Sequence, residues 1–157
     1  MDLNQQHFLY PSTLFVSNTP SVVTTILGSC VAVCLYDPVL KIGGINHYML
    51  PLWNGEGLAS PKYGNIAIEK LVEKMYQQGS KKANLVAKVF GGGEVIETTI
   101  KQFNIGERNI KIALEMLEMY KIPIVAQSVG GKLGRKIQYS TSTGEVKHKF
   151  IDKSVQP

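Results

Sequence analysis

Short runs rich in β-branched residues, separated by turn residues, occupy the region from residue 21 to residue 50. The runs are Ser21–Leu27, Val31–Tyr36 and Ile42–Leu50. This pattern predicts antiparallel strands, and the turn pair Asp37-Pro38 predicts that the second and third form a hairpin. The next stretch, Pro51–Gly64, is rich in glycine and proline, and we predict a loop there.

Two later segments carry apolar residues at helical spacing. In Asn65–Gln78 they recur every three or four positions, and Gly79 follows as a stop signal. In Gly106–Lys121 the same spacing continues almost to Pro123, which cannot extend a helix. We therefore predict two amphipathic helices, each with one buried face.

Further strand-like runs surround the second helix. They are Asn84–Phe90, Ile124–Ser128, Lys136–Ser140 and Glu145–Ile151. The pair Thr143-Gly144 predicts a turn between the last two. Strands interrupted by two helices predict an α+β fold, with a mostly antiparallel β-sheet or sandwich and two flanking helices. We expect residues 1–157 to form a single domain.

Composition narrows the class of protein. The chain has 157 residues, of which 44% are hydrophobic and two are cysteines, which argues against a disordered chain and against a disulfide scaffold. The first residues are polar and lack the features of a secretory signal, and no apolar run approaches the roughly 20 residues of a membrane helix. We expect a cytoplasmic protein that is not embedded in a membrane.

The net charge of +5 is concentrated near the end of the chain. Residues 132–153 contain six basic residues against Glu145 and Asp152. A solvated strand face is the simplest interpretation, and attraction of an anionic partner is the alternative. No basic motif with interleaved aromatic residues accompanies this segment, so we do not expect nucleic-acid binding.

Cys30 and His47 are the residues most suited to covalent chemistry. If the hairpin loop is residues 37–40, the numbers of paired residues sum to 77, which places Cys30 opposite His47. An imidazole beside a thiol can lower the thiol pKa and deliver a proton to a leaving group. The alternative is a buried structural cysteine, because cysteine is among the most buried residue types.

A third group is needed to hold the imidazole, and two threonines are candidates. Thr24 shares the strand parity of Cys30 if the strand is straight, whereas Thr25 shares it only if Gly28 introduces a bulge. We favour Thr24 and leave Thr25 open. Cys34 is predicted to be a core residue, and neither a metal site nor a cofactor is expected, since two cysteines and one histidine in a hairpin lack metal-site spacing.

Two glycine-rich segments resemble neither of the common phosphate-binding motifs. Gly91-Gly92-Gly93 follows a predicted strand but lacks the residues of a P-loop, so we predict a tight turn. The segment Gly130–Arg135 could present N–H groups and cations to an anion, yet segments of this composition commonly just turn the chain.

Five ordered motifs resemble the chemoreceptor glutamine deamidase family CheD, over about residues 24 to 149. They are Leu27-Gly28-Ser29-Cys30-Val31, the run from Gly43 to Pro51, Lys88-Val89-Phe90-Gly91-Gly92, Asn104-Ile105-Gly106-Glu107-Arg108-Asn109, and the run from Gly130 to Lys136. The resemblance implies a fold similar to that of deamidating bacterial toxins.

The resemblance also implies an activity, catalytic residues and partners. The activity is conversion of particular receptor glutamines to glutamates with release of ammonia. The nucleophile corresponds to Cys30, the histidine to His47, and the third residue to a threonine just before the Leu-Gly-Ser-Cys run, where this chain has Thr24 and Thr25. The expected partners are the cytoplasmic domains of chemoreceptors, as substrate, and the phosphatase CheC, as regulator.

Two other functions fit the same residues. The chain could be a non-enzymatic chemotaxis adaptor that binds receptor or CheC. It could also be a cysteine-dependent amidase or methylesterase that acts on another substrate.

Overall fold

The computed structural model describes residues 4–94 and 104–151. The strands are β1 Gln5–Phe8, β2 Thr13–Ser17, β3 Ser21–Leu27, β4 Val31–Asp37, β5 Ile42–His47, β6 Val86–Gly91, β7 Ile124–Val129, β8 Gly134–Ser140 and β9 Val146–Ile151. The helices are α1 Gly64–Gln77 and α2 Ile105–Met119, with a short 3₁₀ turn at Lys82–Asn84. Among these residues no helix is both long enough and apolar enough to cross a bilayer.

The strands form two sheets, and most neighbouring strands are antiparallel. The four-stranded sheet has the order β1-β3-β8-β9, and the five-stranded sheet has the order β2-β5-β4-β6-β7. The pairs β1–β3 and β6–β7 are parallel. The prediction of an α+β fold, with a mostly antiparallel sandwich and two flanking helices, is confirmed.

Strand β4 lies at the centre of three layers and is buried on both faces. Its odd-numbered residues from Val31 to Leu35 pack with α1 and α2 in one core. Its alternate residues Ala32 and Cys34 pack in a second core between the two sheets. Because successive strand residues point to opposite faces, one short strand contributes to both cores. Cys34 is 2% exposed, as predicted for a core residue.

Both predicted helices are confirmed within two residues at each end. The buried stripe of α1 includes Ala67, Leu71 and Met75, and the helix is followed by Gly79 with a φ of 102°. Helix α2 buries Ala113 and Leu117 against the same core. The apolar spacing therefore identified the faces that cover the five-stranded sheet.

Three features differ from the prediction. Strands β1 and β2 precede the region in which strands were predicted, and β1 is exposed along its whole length. Strand β3 does not pair with β4, because the two strands belong to different sheets. The hairpin register is also shifted: Asp37 pairs with Ile42 and Cys34 with Ile45, so partner numbers sum to 79 instead of 77.

The shifted register follows from the turn. The Asp37 carboxylate accepts hydrogen bonds from the N–H groups of Val39 and Leu40, so Asp37 caps the turn while remaining in β4. Lys41 adopts a φ of 56° and closes the loop. The loop has four residues, as predicted, but it starts and ends one position later.

Candidate functional site

Cys30 lies in the segment that connects the two sheets. Strand β3 ends at Leu27, the chain bends through Gly28 and Ser29, and β4 begins at Val31 in the other sheet. The Cys30 side chain is half-buried and packs at the edge of the core between the sheets. The thiol therefore stands at the entrance of a strand, at the point where the chain passes from one sheet to the other.

Every carbonyl of the turn formed by Gly28, Ser29 and Cys30, here called the cysteine turn, is held by a distant part of the chain. The Gly28 and Cys30 carbonyls accept from the N–H groups of Gly93 and Gly92, each at 2.9 Å. The Ser29 carbonyl accepts from the Asn109 side chain at 3.0 Å. Within the described residues the N–H groups of Ser29 and Cys30 donate to no oxygen. The turn therefore presents two N–H groups without an oxygen acceptor, of which the Cys30 N–H lies near the Cys30 sulfur.

Gly91 allows the closest of these approaches. A Cβ atom at this position would lie 2.2 Å from the Cys30 carbonyl oxygen, and the backbone has a φ of 110°. Only glycine tolerates both conditions. The tight turn predicted at Gly91–Gly93 is not found, because Gly91 is the last residue of β6 and the chain has no turn at Gly92 or Gly93. The N–H groups of Gly92 and Gly93 instead hold the carbonyls on either side of Ser29.

His47, the last residue of β5, is 2% exposed and contacts the opposite sheet. Its Nδ1 lies 2.7 Å from Thr25 Oγ1, which donates its proton to the Leu9 carbonyl, also at 2.7 Å. A hydroxyl has one proton, so Thr25 accepts from the His47 Nδ1–H. These two hydrogen bonds place the proton of the neutral imidazole on Nδ1 and leave Nε2 unprotonated. The Nε2 atom is buried and has no hydrogen-bond partner among the described residues.

Thr25 contacts the imidazole and Thr24 does not, in contrast to the residue we favoured. The Thr24 hydroxyl instead accepts a long hydrogen bond from Gln138 Nε2, at 3.5 Å. The parity argument failed because it treated β3 as a straight continuation toward Cys30. Strand β3 lies in the facing sheet, and its buried side, which carries Thr25, points across the core to His47.

Cys30 and His47 lie on the same face of the five-stranded sheet, although not directly opposite each other. The pairs Cys34–Ile45 and Val31–Tyr48 share one register, which puts His47 opposite Ala32 and diagonal to Cys30. Diagonal positions in antiparallel strands are about 7–8 Å apart, within reach of long or aromatic side chains. Both residues face the core between the sheets.

Burial keeps both groups neutral at rest. It raises the pKa of the Cys30 thiol, an effect that the nearby Cys30 backbone N–H partly opposes. It lowers the pKa of His47 from its usual 6.5 to about 4. A neutral thiol and an imidazole with an unpartnered Nε2 are a donor and an acceptor for one proton, and here they lie on the same sheet face with no hydrogen bond between them.

Two residues with defined contacts at the site were missed by sequence reasoning. Asn109 on α2 binds the Ser29 carbonyl, and Arg135 donates to the carbonyls of Gly91 and Gly130 at 2.7 and 2.5 Å. Arg135 is 2% exposed, so its guanidinium joins the end of β6 at Gly91 to the segment at Gly130 instead of facing an external anion. Both residues lie in motifs that carried the family resemblance, which was the available signal.

Comparison with known proteins gives one consistent family. The family model described as "CheD chemotactic sensory transduction" matches residues 49–150. A protein of Trichlorobacter lovleyi, called "Probable chemoreceptor glutamine deamidase CheD", is 51% identical over 90% of this chain and 88% of its own length. A protein of the same name from Sulfurimonas denitrificans is 48% identical over 96% of this chain and 97% of its own.

A solved structure, that of the hypothetical protein YfiH of Bacillus licheniformis, superposes with a TM-score of 0.46 at 18% identity. The superposition covers 73% of this chain and 49% of that protein.

Proposed function

The chain belongs to the CheD family, and we propose that it is a chemoreceptor glutamine deamidase in which Cys30 and His47 carry the reaction. The relatives that support this proposal are named for this activity and are similar over nearly their whole length. The substrate is the side-chain carboxamide of particular glutamines in the cytoplasmic domains of chemoreceptors, and the products are glutamate and ammonia.

One observation carries the catalytic part of the proposal. The bond between His47 Nδ1 and Thr25 fixes the imidazole tautomer, so the free Nε2 is a base on the sheet face that also carries Cys30. A thiol needs a base of this kind when burial raises its pKa.

The first half of the reaction forms a thioester. His47 Nε2 takes the proton from Cys30 Sγ as the sulfur attacks the carboxamide carbon. The resulting oxyanion is stabilised by the N–H groups of Ser29 and Cys30, which have no competing oxygen acceptor in the described residues. His47 then gives the proton to the amide nitrogen, the C–N bond breaks, and ammonia leaves.

The second half releases the product. His47 Nε2 takes a proton from a water molecule as the water oxygen attacks the thioester carbon. The C–S bond breaks, the sulfur recovers the proton from His47, and the new glutamic acid side chain loses its remaining proton to water to give the carboxylate. Thr25 accepts the Nδ1–H throughout, so it holds the ring orientation and stabilises the imidazolium that forms twice in each turnover.

Residues 1–157 act as one catalytic domain in this proposal, in the cytoplasm where receptor signalling domains lie. A CheC-type phosphatase as regulatory partner stays a prediction from the family.

The test is mass spectrometry of a chemoreceptor cytoplasmic fragment incubated with the protein. We expect specific glutamines to gain the mass difference of glutamate, and we expect neither Cys30→Ser nor His47→Ala to produce this change. Parallel samples carry a receptor methyl ester and a free glutamine peptide, to detect a methylesterase or a general amidase.

The outcomes separate the alternatives. Binding of the fragment by the wild type without any conversion would replace catalysis by an adaptor function. Conversion that survives both substitutions would show that another residue carries the reaction.

A further inference from the structure

The amide of Asn109 connects the two strand ends that carry Cys30 and His47. Asn109 lies in the first part of α2 and is completely buried. Its Nδ2 donates to the Ser29 carbonyl at 3.0 Å and to the Met49 carbonyl at 2.9 Å. Ser29 precedes Cys30 directly, and Met49 follows His47 by two residues. One side chain therefore connects the two chain segments.

The strands fix the distance between these segments only as far as the pair of Val31 and Tyr48, whose backbone groups exchange hydrogen bonds of 3.1 and 3.0 Å. The continuous β4–β5 ladder stops at the Cys34–Ile45 pair, because the Val33 N–H donates to the Asn46 side chain instead of a backbone carbonyl. A single bridge between Val31 and Tyr48 follows. Beyond that bridge no backbone hydrogen bond joins the two described segments, since the Met49 N–H donates to the Lys62 carbonyl, and the Asn109 side chain contacts both segments.

The orientation of the amide is fixed by its partners. Both carbonyls accept hydrogen bonds, so the NH₂ group must face them. The Asn109 Oδ1 is consequently left buried without a partner. An unsatisfied buried acceptor costs about 1–3 kcal/mol, so the NH₂ group makes its two hydrogen bonds while the Oδ1 stays unpaired at that cost.

The helix that carries Asn109 is itself attached to the same strand end. The Tyr48 hydroxyl donates to the Asn109 backbone carbonyl at 2.6 Å. Tyr48 follows His47 directly and forms the bridge to Val31. The backbone of Asn109 therefore contacts Tyr48 and its side chain contacts Met49, the two residues that follow His47. The side chain alone extends the connection to Cys30.

We propose that Asn109 is a positioning residue that sets the separation between the Cys30 thiol and the His47 imidazole. This inference rests on the proposed function for its kinetic consequence. It assigns a role to the motif from Asn104 to Asn109, which the catalytic chemistry leaves unexplained.

The test uses Asn109→Asp, which keeps the shape of the side chain but has no N–H group. A misplacement of about 1 Å can reduce turnover by about 10²-fold, and we expect a fall in kcat of that order with little change in KM. Asn109→Ser is smaller and uncharged, can reach only one of the two carbonyls, and serves as the second variant if Asn109→Asp does not fold.

The matched control is Tyr139→Phe. It removes a buried hydrogen bond, from the Tyr139 hydroxyl to the Leu35 carbonyl at 2.6 Å, that involves neither the Cys30 segment nor the His47 segment. We expect a comparable loss of thermal stability with kcat retained. A kcat for both Asn109 variants equal to that of Tyr139→Phe would overturn the proposal.

A second measurement does not depend on the substrate. The rate at which iodoacetamide alkylates Cys30, followed by peptide mass spectrometry against pH, reports how strongly His47 assists the thiol. We expect the profile of Asn109→Asp to match that of His47→Ala, and the double variant to show no further change. Additive effects in the double variant would overturn the proposal. If the wild type converts no receptor glutamine, the proposed function fails while this measurement still decides the role of Asn109.

Discussion

Cys30 and Cys34 face the same side of the five-stranded sheet, four residues apart, but their surroundings differ. Cys34 lies inside β4 and pairs with Ile45 on one side and Lys88 on the other. Cys30 precedes the strand, and its turn is held by hydrogen bonds from distant segments. Burial raises the pKa of both thiols, so the pKa alone does not distinguish them.

The difference lies in the polar groups that surround each thiol. Along the strand interior the backbone groups are used by the ladder, and the core around Cys34 is apolar, with Lys88 of β6 as its charged neighbour. Where the ladder ends, backbone N–H groups become free and polar side chains take over the pairing. His47, Asn109 and Arg135 contribute three of the six buried side-chain atoms without a partner among the described residues. Reactivity is therefore expected at the end of the ladder.

The sharpest test of this contrast exchanges each cysteine for serine. We expect Cys30→Ser to reduce deamidation by more than about 10³-fold, because the nucleophile is lost. We expect Cys34→Ser to retain the rate but to lose about 1–3 kcal/mol of unfolding free energy, because its hydroxyl is buried without an acceptor. The deamidation rate and the free energy of unfolding in urea, measured for both variants, test these two expectations. A folded Cys34→Ser protein without activity would contradict the contrast.

A glycine pair tests whether the cysteine turn must keep its position. Gly91→Ala places a Cβ against the Cys30 carbonyl, and a displacement of about 1 Å predicts a fall of about 10²-fold in kcat. Gly55→Ala is the control, because Gly55 also has a positive φ but no atom within 4 Å of the added Cβ. We expect Gly55→Ala to cost about 1–2 kcal/mol of strain without a change in rate. Equal rates for the two variants would argue that the turn is not constrained.

Adjacent threonines test the hydrogen bond to the imidazole. Thr25→Val leaves the His47 Nδ1–H and the Leu9 carbonyl without a partner, and a hydrogen bond to a group that becomes charged is worth about 1.5–3 kcal/mol. We therefore expect a fall in kcat of about tenfold to a hundredfold. Thr24→Val should keep the wild-type rate, since the Thr24 hydroxyl has only a long contact to Gln138. The reverse order of effects would assign the role to Thr24.

The smallest effect is a pH dependence of stability. The pKa of His47 is about 4 in the folded chain and about 6.5 in the unfolded chain, so the unfolded chain binds more protons between these values. The contribution of His47 to the free energy of unfolding is therefore fully present above pH 6.5 and is lost as the pH falls toward 4. We expect His47 to account for about 2 kcal/mol of loss between pH 7.5 and pH 5, measured as the difference between the wild type and His47→Gln in urea unfolding. Identical pH curves for the two proteins would contradict the buried neutral imidazole.

The sequence predicted those elements whose pattern repeats locally. The apolar stripes of α1 and α2 located both helices, and the turn residues located the hairpin between β4 and β5. The register was wrong by one residue on each strand. A turn in which Asp37 caps the loop and still pairs with Ile42 looks, in the sequence, like a turn that begins at Asp37.

The contacts that build the site could not be read from local patterns. Thr25 approaches His47 because β3 crosses to the facing sheet, and strand parity contains no information about which sheet a strand joins. Leu9 belongs to a segment with no strand pattern that we recognised, and Asn109 reaches Ser29 across 80 positions of sequence. Cys30 and His47 were identified from their residue types and motifs, and their catalytic roles stay predictions.

The hydrogen bonds of the cysteine turn have a consequence for how the protein is made. Gly93 and Asn109 leave the ribosome more than 60 residues after Gly28, and contacts between such distant positions form late because long loops must close first. Until they form, the turn has no fixed geometry and the thiol has no partnered base. If Cys30 and His47 carry the reaction as proposed, a nascent or partly unfolded chain is inert toward amides, and activity is gained only when the last long-range contacts are complete.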